Sequence, residues 1–261
     1  MADSAPAGAV TDDPFARLEG PLAGTTRMRL TVTQNRPLTP ALQQVVLTAP
    51  ELAGFRWRPG QDIMLMVAVA DGRPVRRRYT IRATDPEQRL VTLEIVRHGN
   101  EGPGERWVTG ARPGDTVEGI GPRGKIFLAP GADWHLFIGD HAALPAFFTM
   151  AAALPAGQRA TVLLEIPGLA DEQQPPAGDV SVSWLHRGSR PAGEPGALAE
   201  AAGQVPLPPG LGQAYLAGEA KAVLALREVL ADRGMPGDQV SAKAYWGRGR
   251  ANASHGEPAR D

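Results

Sequence analysis

The periodicity of this chain changes near Pro130, and that change limits the folds open to it. Before it, apolar and polar residues alternate over short runs: Met28–Thr33, Gln44–Thr48, Asp62–Val67, Val75–Arg82, Leu90–Val96 and Thr116–Ile120. Pro59-Gly60, Asp71-Gly72 and Pro113-Gly114 punctuate these runs, and short punctuated strands of this kind predict a small antiparallel β-barrel. After it, apolar runs alternate with helix-like stretches. His135–Ile138, Ala160–Ile166, Val180–Leu185, Gln213–Ala217 and Val240–Trp246 read as strands, and Ala142–Leu154 and Glu219–Arg233 as helices. That order predicts an α/β parallel sheet with helices on its faces. Pro175-Pro176, Pro191–Gly196 and Pro206–Gly210 read as surface loops. The 261 residues suit two domains: a barrel over 25–130 and an α/β domain over 131–250, with a flexible arm at 1–24 and a tail at 251–261.

Composition removes several chemistries. The chain has no cysteine, which excludes a disulfide framework, a thiolate nucleophile, cysteine-held zinc and an ordinary iron–sulfur cluster. No His/Asp/Glu spacing demands a metal, so a redox centre would have to be a bound organic cofactor. A formal net charge of −1 gives no field directed at nucleic acid or an anionic membrane. The N-terminal residues lack a basic region followed by an apolar core, and no apolar run reaches the roughly 18 residues of a membrane span. These features lead to the expectation of a cytoplasmic protein; oligomeric state stays open.

One segment carries chemistry: Val75-Arg76-Arg77-Arg78-Tyr79-Thr80-Ile81-Arg82. On a strand, Arg77 and Tyr79 share a face, so a guanidinium can meet a pyrophosphate while a ring lies against a flat cofactor such as a flavin. Thr80 then falls near the flavin edge. Alone, these residues would equally suit a solvated strand, and context decides. Farther along, Gly102-Pro103-Gly104 opens a helix expected to begin near Gly104, whose free amides can face a phosphate. Ala217-Gly218-Glu219 offers a second helix start of this kind, and Glu219 would equally serve the helix dipole there. Gly119–Lys125 nearly satisfies a phosphate-loop pattern. Ile126 stands at its Ser/Thr position, however, and Lys125–Leu128 reads as a strand, so ATP hydrolysis is rejected.

Taken in order, the Arg77–Thr80 segment, Val96–Trp107, Gly121-Pro122-Arg123-Gly124, Trp134–Ala146 and the closing Ala217-Gly218-Glu219 and Tyr245–Arg250 resemble the siderophore-interacting proteins. These are flavin-dependent ferric-siderophore reductases of the ferredoxin-reductase superfamily. The resemblance implies a barrel that binds FAD and an α/β domain of NAD(P)H-binding type, with NADH or NADPH as electron donor and a ferric siderophore as acceptor. It implies FAD contacts from Arg77, Tyr79, Thr80, His98, Gly102, Pro103, Gly104, Asp140 and Ala143, and attraction of the anionic chelate by Lys243, Arg248 and Arg250.

Two departures stand out. Glu105 replaces a small hydroxyl residue, and a carboxylate there either points away from a pyrophosphate or weakens its binding. In the Gly139–Ala146 loop, His141 and Ala142 replace Glu and Thr, which questions ordinary NAD(P)H use and makes His141 a candidate acid or base. The departures leave room for two other readings: flavin-dependent biosynthetic chemistry on an organic metabolite, or a non-enzymatic flavin or siderophore carrier.

Overall fold

The computed structural model describes residues 24–70, 73–99, 102–124 and 126–249; the expected arm, the tail and Arg250 lie outside these residues. Six antiparallel strands, β1 (Thr26–Thr39), β2 (Leu42–Thr48), β3 (Asp62–Ala70), β4 (Arg73–Asp85), β5 (Leu90–Val96) and β6 (Thr116–Arg123), close a barrel in the order β1-β2-β5-β4-β3-β6. One helix, α1 (Pro103–Gly110), lies between β5 and β6. Alternation does what the sequence predicts. Leu30, Leu47, Leu65, Ile81 and Leu93 point inward and are fully buried, each contributing roughly 1.5–3 kcal/mol of transfer free energy.

Barrel packing also accounts for the near phosphate-loop pattern. A Cβ on Gly119 would sit 2.7 Å from Leu30 Cδ1 and one on Gly121 2.9 Å from Ile63 Cγ1, so these glycines fill the crowded interior of β6.

The second half is a five-stranded parallel sheet in the order β11-β10-β7-β8-β9, built from β7 (Trp134–Asp140), β8 (Arg159–Ile166), β9 (Asp179–His186), β10 (Gly212–Glu219) and β11 (Val240–Trp246). Helices α2 (Leu144–Ala152), α3 (Pro195–Gln204) and α4 (Ala220–Asp232) complete it. Successive strands run outward from β7 in one direction to β9, and the chain then returns to place β10 on β7's other side. The strand order therefore reverses between β7 and β10, and ligands of such sheets bind beyond the carboxyl ends at this reversal. The carboxyl ends here are Asp140 and Glu219.

Several local expectations need correction. The expected strand at Lys125–Leu128 is absent over the described residues 126–128: the closed barrel offers no free edge, and Ile126 and Leu128 pack against the core around α2 instead. Helix α1 starts one residue earlier than expected, because Pro103 occupies the first helical position, where its missing N–H costs nothing. Helix α3 begins inside the expected Pro191–Gly196 loop, with Pro195 at its start, where a missing N–H costs nothing.

Candidate functional site

A cleft of about 650 Å³ runs between the barrel and the α/β half. One wall is β4, whose period-two alternation divides the Arg77–Thr80 segment between two environments. Arg77 and Tyr79 face α1: the Tyr79 ring stacks on Trp107 at 5.9 Å between centroids, and burial raises its hydroxyl pKa. A Cβ on Gly104 would lie 3.2 Å from Tyr79 Oη and 3.3 Å from Arg77 Cγ, so glycine lets the first turn of α1 sit directly on both side chains. No side chain caps α1, and its first turn, Pro103 to Glu105, lines the same cleft. A guanidinium, a phenol and helix amides thus converge as a pyrophosphate requires. These residues fit a dinucleotide flavin.

Glu105 does not spoil this wall. Its Oε2 accepts from the backbone N of His98 at 2.8 Å and its Oε1 lies 3.6 Å from Arg97 Nε, so the carboxylate is turned toward the β5–α1 connection and partly neutralised. His98 is exposed within the cleft, and its ring lies 5.4 Å from that of Trp246. The surrounding protein still lowers its pKa by desolvation, opposed by the Glu105 charge.

Arg78 and Thr80 face the other way, toward β11. Buried Asp62 receives a bidentate pair from Arg78, Nε to Oδ1 at 2.8 Å and Nη2 to Oδ2 at 2.6 Å, and Lys243 Nζ reaches Oδ2 at 3.2 Å. The Tyr245 hydroxyl stands beside that of Thr80, and burial raises its pKa. Across the cleft four cations, Arg77, Arg78, Lys243 and Arg248, face three carboxylates, Asp62, Glu94 and Glu105, a small local excess of positive charge that the whole-chain charge hides.

At the strand-order reversal the polar groups are already engaged. Asp140 Oδ1 accepts from Ala142 N at 2.9 Å, and its Oδ2 accepts from Glu219 N and Trp246 Nε1, each at 2.8 Å. Burial raises the Asp140 pKa to about 6 against the pull of these donors. Gly218 has φ 141°, and a Cβ there would strike the Asp140 carboxylate at 2.6 Å. Glu219 caps its own helix, its Oε2 accepting from Lys221 N at 2.6 Å and Ala222 N at 3.1 Å, while Oε1 accepts from Arg248 N at 3.1 Å. The start of α4 is therefore occupied by protein, the helix-cap alternative for Glu219.

Of the residues singled out from sequence, Arg77, Tyr79, Thr80, His98, Gly102, Pro103, Gly104, Lys243 and Arg248 line the cleft. Asp140 and His141 line instead a smaller side pocket of about 50 Å³, Ala143 is fully buried in the core around α2, and Arg250 lies outside the described residues. Lys243 is tied to Asp62, and Arg248 Nη1 stands 3.8 Å from Glu194 Oε1. Sequence reasoning missed Asp62, whose only local signal is an acid opening an otherwise apolar strand. It also left Tyr245 and Trp246 without a role; their aromatic pair was visible, their partners across the cleft were not.

Residues 65–126 match the siderophore-interacting FAD-binding domain and residues 132–249 the siderophore-interacting protein family. The ferric vibriobactin reductase ViuB of Vibrio cholerae is 32% identical over 244 residues, covering 83% of this chain and 88% of that one. The crystal structure of a siderophore utilization protein from T. fusca superimposes with a TM-score of 0.79 at 30% identity, over 89% of this chain and 97% of that one. The ferredoxin reductase in carbazole 1,9a-dioxygenase shares the fold, with a TM-score of 0.67 at 20% identity over 85% of this chain and 70% of that one.

Proposed function

Because this chain belongs to the siderophore-interacting protein family and has that family's FAD-binding domain, we propose that it passes electrons from NADH or NADPH through FAD to a ferric siderophore, releasing iron(II). The observation that carries the reading is the convergence of Arg77, Tyr79 and the first turn of α1 at Gly104. Bound FAD supplies the chemistry of taking two electrons together and yielding them singly. The protein's share is binding and electrostatics. Arg77 and the α1 amides would hold the pyrophosphate, and Tyr79, fixed by Trp107, would shelve the ring system. Thr80, beside the Tyr245 hydroxyl, would stand near the ring edge. Lys243 and Arg248 add positive charge to the cleft, which favours approach of an anionic ferric chelate. No nucleophile is needed, in keeping with a cysteine-free chain, and the ferric ion is substrate: reduction weakens its bonds to hard oxygen ligands.

The capped start of α4 favours a second reading, in which the flavin is retained but the dinucleotide site has closed and the protein carries a ligand or serves a different metabolite. Visible spectra of the purified, FAD-reconstituted protein separate the readings. Flavin bands should bleach on anaerobic addition of NADH or NADPH and return with iron(II) formation when a ferric siderophore follows. Bound flavin that neither nucleotide bleaches would favour the second reading, and no bound flavin would defeat both. Tyr79→Ala and Arg77→Ala should each lower flavin occupancy; unchanged occupancy would remove the assignment of β4.

A further inference from the structure

Among the cations that line the cleft, Arg78 and Lys243 are committed to buried Asp62, and Arg77 packs against the first turn of α1. Arg248 is placed differently. Its backbone N donates to Glu219 Oε1 at 3.1 Å, and Glu219 is itself fixed as the cap of α4. The chain at Arg248 is therefore anchored while the side chain, 47% exposed, lines the cleft from its open side. There Nη1 stands 3.8 Å from Oε1 of Glu194, beyond hydrogen-bond distance, and the Glu194 side chain is equally exposed.

Glu194 is held at this point by its own loop. Gly193 before it has φ 74°, and a Cβ there would lie 2.6 Å from Glu219 Cγ and 2.9 Å from Trp246 Cη2, so glycine lets the loop sit directly on both side chains. Pro191 and Ala192 of the same loop line the cleft. Glu194 also precedes α3, yet its side chain makes no capping hydrogen bond to that helix. Its effect is electrostatic. With Glu194 added to Asp62, Glu94 and Glu105, the four lining cations meet four carboxylates, and the excess of positive charge in the cleft is cancelled. An exposed ion pair of this kind changes an equilibrium constant by at most about 5-fold, so the pair is readily exchanged.

We propose that Glu194 is a built-in competitor for the ferric chelate: it occupies Arg248 in the free protein and yields it to an anion of higher charge than one carboxylate, so that the cleft sorts chelates by charge. The proposal rests on the siderophore reading above and adds to it a residue that sets selectivity. Iron(III) held by three catecholates keeps a triple negative charge, whereas three hydroxamates leave it neutral. The first kind displaces Glu194 from Arg248; the second has no charge with which to do so.

The test uses the flavin-loaded protein and gallium(III) complexes, which match iron(III) in charge and are not reduced, so that binding is read apart from electron transfer. Isothermal titration at low salt gives the dissociation constants of a hexadentate gallium tris-catecholate and of a neutral hexadentate gallium tris-hydroxamate. Glu194→Gln should tighten the tris-catecholate by about 2–5-fold and leave the tris-hydroxamate within about 1.5-fold. Glu194→Ala should do the same, which separates loss of the charge from any contact made by glutamine. In an Arg248→Gln background the gain from Glu194→Gln should fall below about 1.5-fold, because the cation competed for is gone. Unchanged or weaker tris-catecholate binding in both Glu194 variants, or equal tightening of both complexes, would overturn the competitor role alone. A gain that persists undiminished in the Arg248→Gln background would overturn it too, by showing Glu194 to be a bare repulsive charge. If the unaltered protein binds FAD but neither gallium complex, the siderophore reading and this proposal fall together.

Discussion

Replacing Asp62 with alanine tests how the cleft is held. The side chains of Asp62, Arg78 and Lys243 are 6%, 15% and 14% exposed, so removing the carboxylate strands two largely buried cations. Breaking a buried pair by deleting one partner costs about 3–5 kcal/mol; because the cluster borders an open cleft, the lower end, about 3 kcal/mol, is the appropriate figure. For a chain of this size each kcal/mol lowers Tm by roughly 2–4 °C, so Asp62→Ala should unfold roughly 6–12 °C below the wild type. Thermal scans in low and high salt would read the effect, which should change little with salt since the bridge is shielded from solvent ions. Removing all three charges together, Asp62→Leu with Arg78→Met and Lys243→Met, should recover most of the loss. A drop in Tm below about 3 °C for Asp62→Ala, or one that vanishes in high salt, would show the three groups to be solvated and refute the reasoning.

Three further outcomes follow from the same geometry. Gly104→Ala places a methyl 3.2 Å from Tyr79 Oη, so α1 must retreat from β4 and FAD affinity should fall about 10-fold or more with little change in stability, measured by flavin fluorescence titration. Tyr245→Phe removes the hydroxyl beside that of Thr80; it should shift the visible spectrum and midpoint potential of bound flavin, and Thr80→Val added to it should shift them no further. Asp140 has a folded pKa of about 6 against about 3.9 unfolded, so folding takes up a proton between those values and this residue's contribution improves as pH falls from about 6 to 4. The full difference is about 3 kcal/mol, and Asp140→Asn should lose this pH dependence, read as the difference between the two proteins' stability curves across that window.

What was legible in the sequence is what depends on neighbours along the chain. Alternation located β5 and β11 to the residue, because Leu90–Val96 and Val240–Trp246 have no competing punctuation inside them. It failed at Ile126–Leu128, where an apolar run has no strand edge to join, and at α3, where Pro195 and Gly196 look like a turn yet start a helix. The cleft wall proposed to hold the flavin was legible for the same reason: the Arg77–Thr80 segment and Gly102-Pro103-Gly104 are each local, and only their meeting at Gly104 needed the fold. Contacts spanning long loops left no such trace. Lys243 reaches Asp62 across 181 residues and Trp246 reaches Asp140 across 106, so neither partner could be chosen without the topology.

Those long-range contacts share an origin in β11, and this bears on how the two halves act together. Lys243 bonds Asp62 on β3, Tyr245 stands beside Thr80 on β4, and Trp246 meets His98 after β5 while donating to Asp140 at the end of β7. One strand of the α/β sheet therefore touches successive barrel elements along the cleft and also the strand-order reversal. The main cleft and the side pocket are consequently not independent: Trp246 lines both, and a shift of β11 that widened one would move the other. In the proposed reductase, electron transfer would depend on the separation of donor, flavin and acceptor, and fixing both sides of the cleft with a single strand would leave those separations set by one element. The YW pair of the chain's last strand is thus explained by position: an aromatic hydroxyl for the barrel and an indole N–H for the sheet, in adjacent residues that alternate faces.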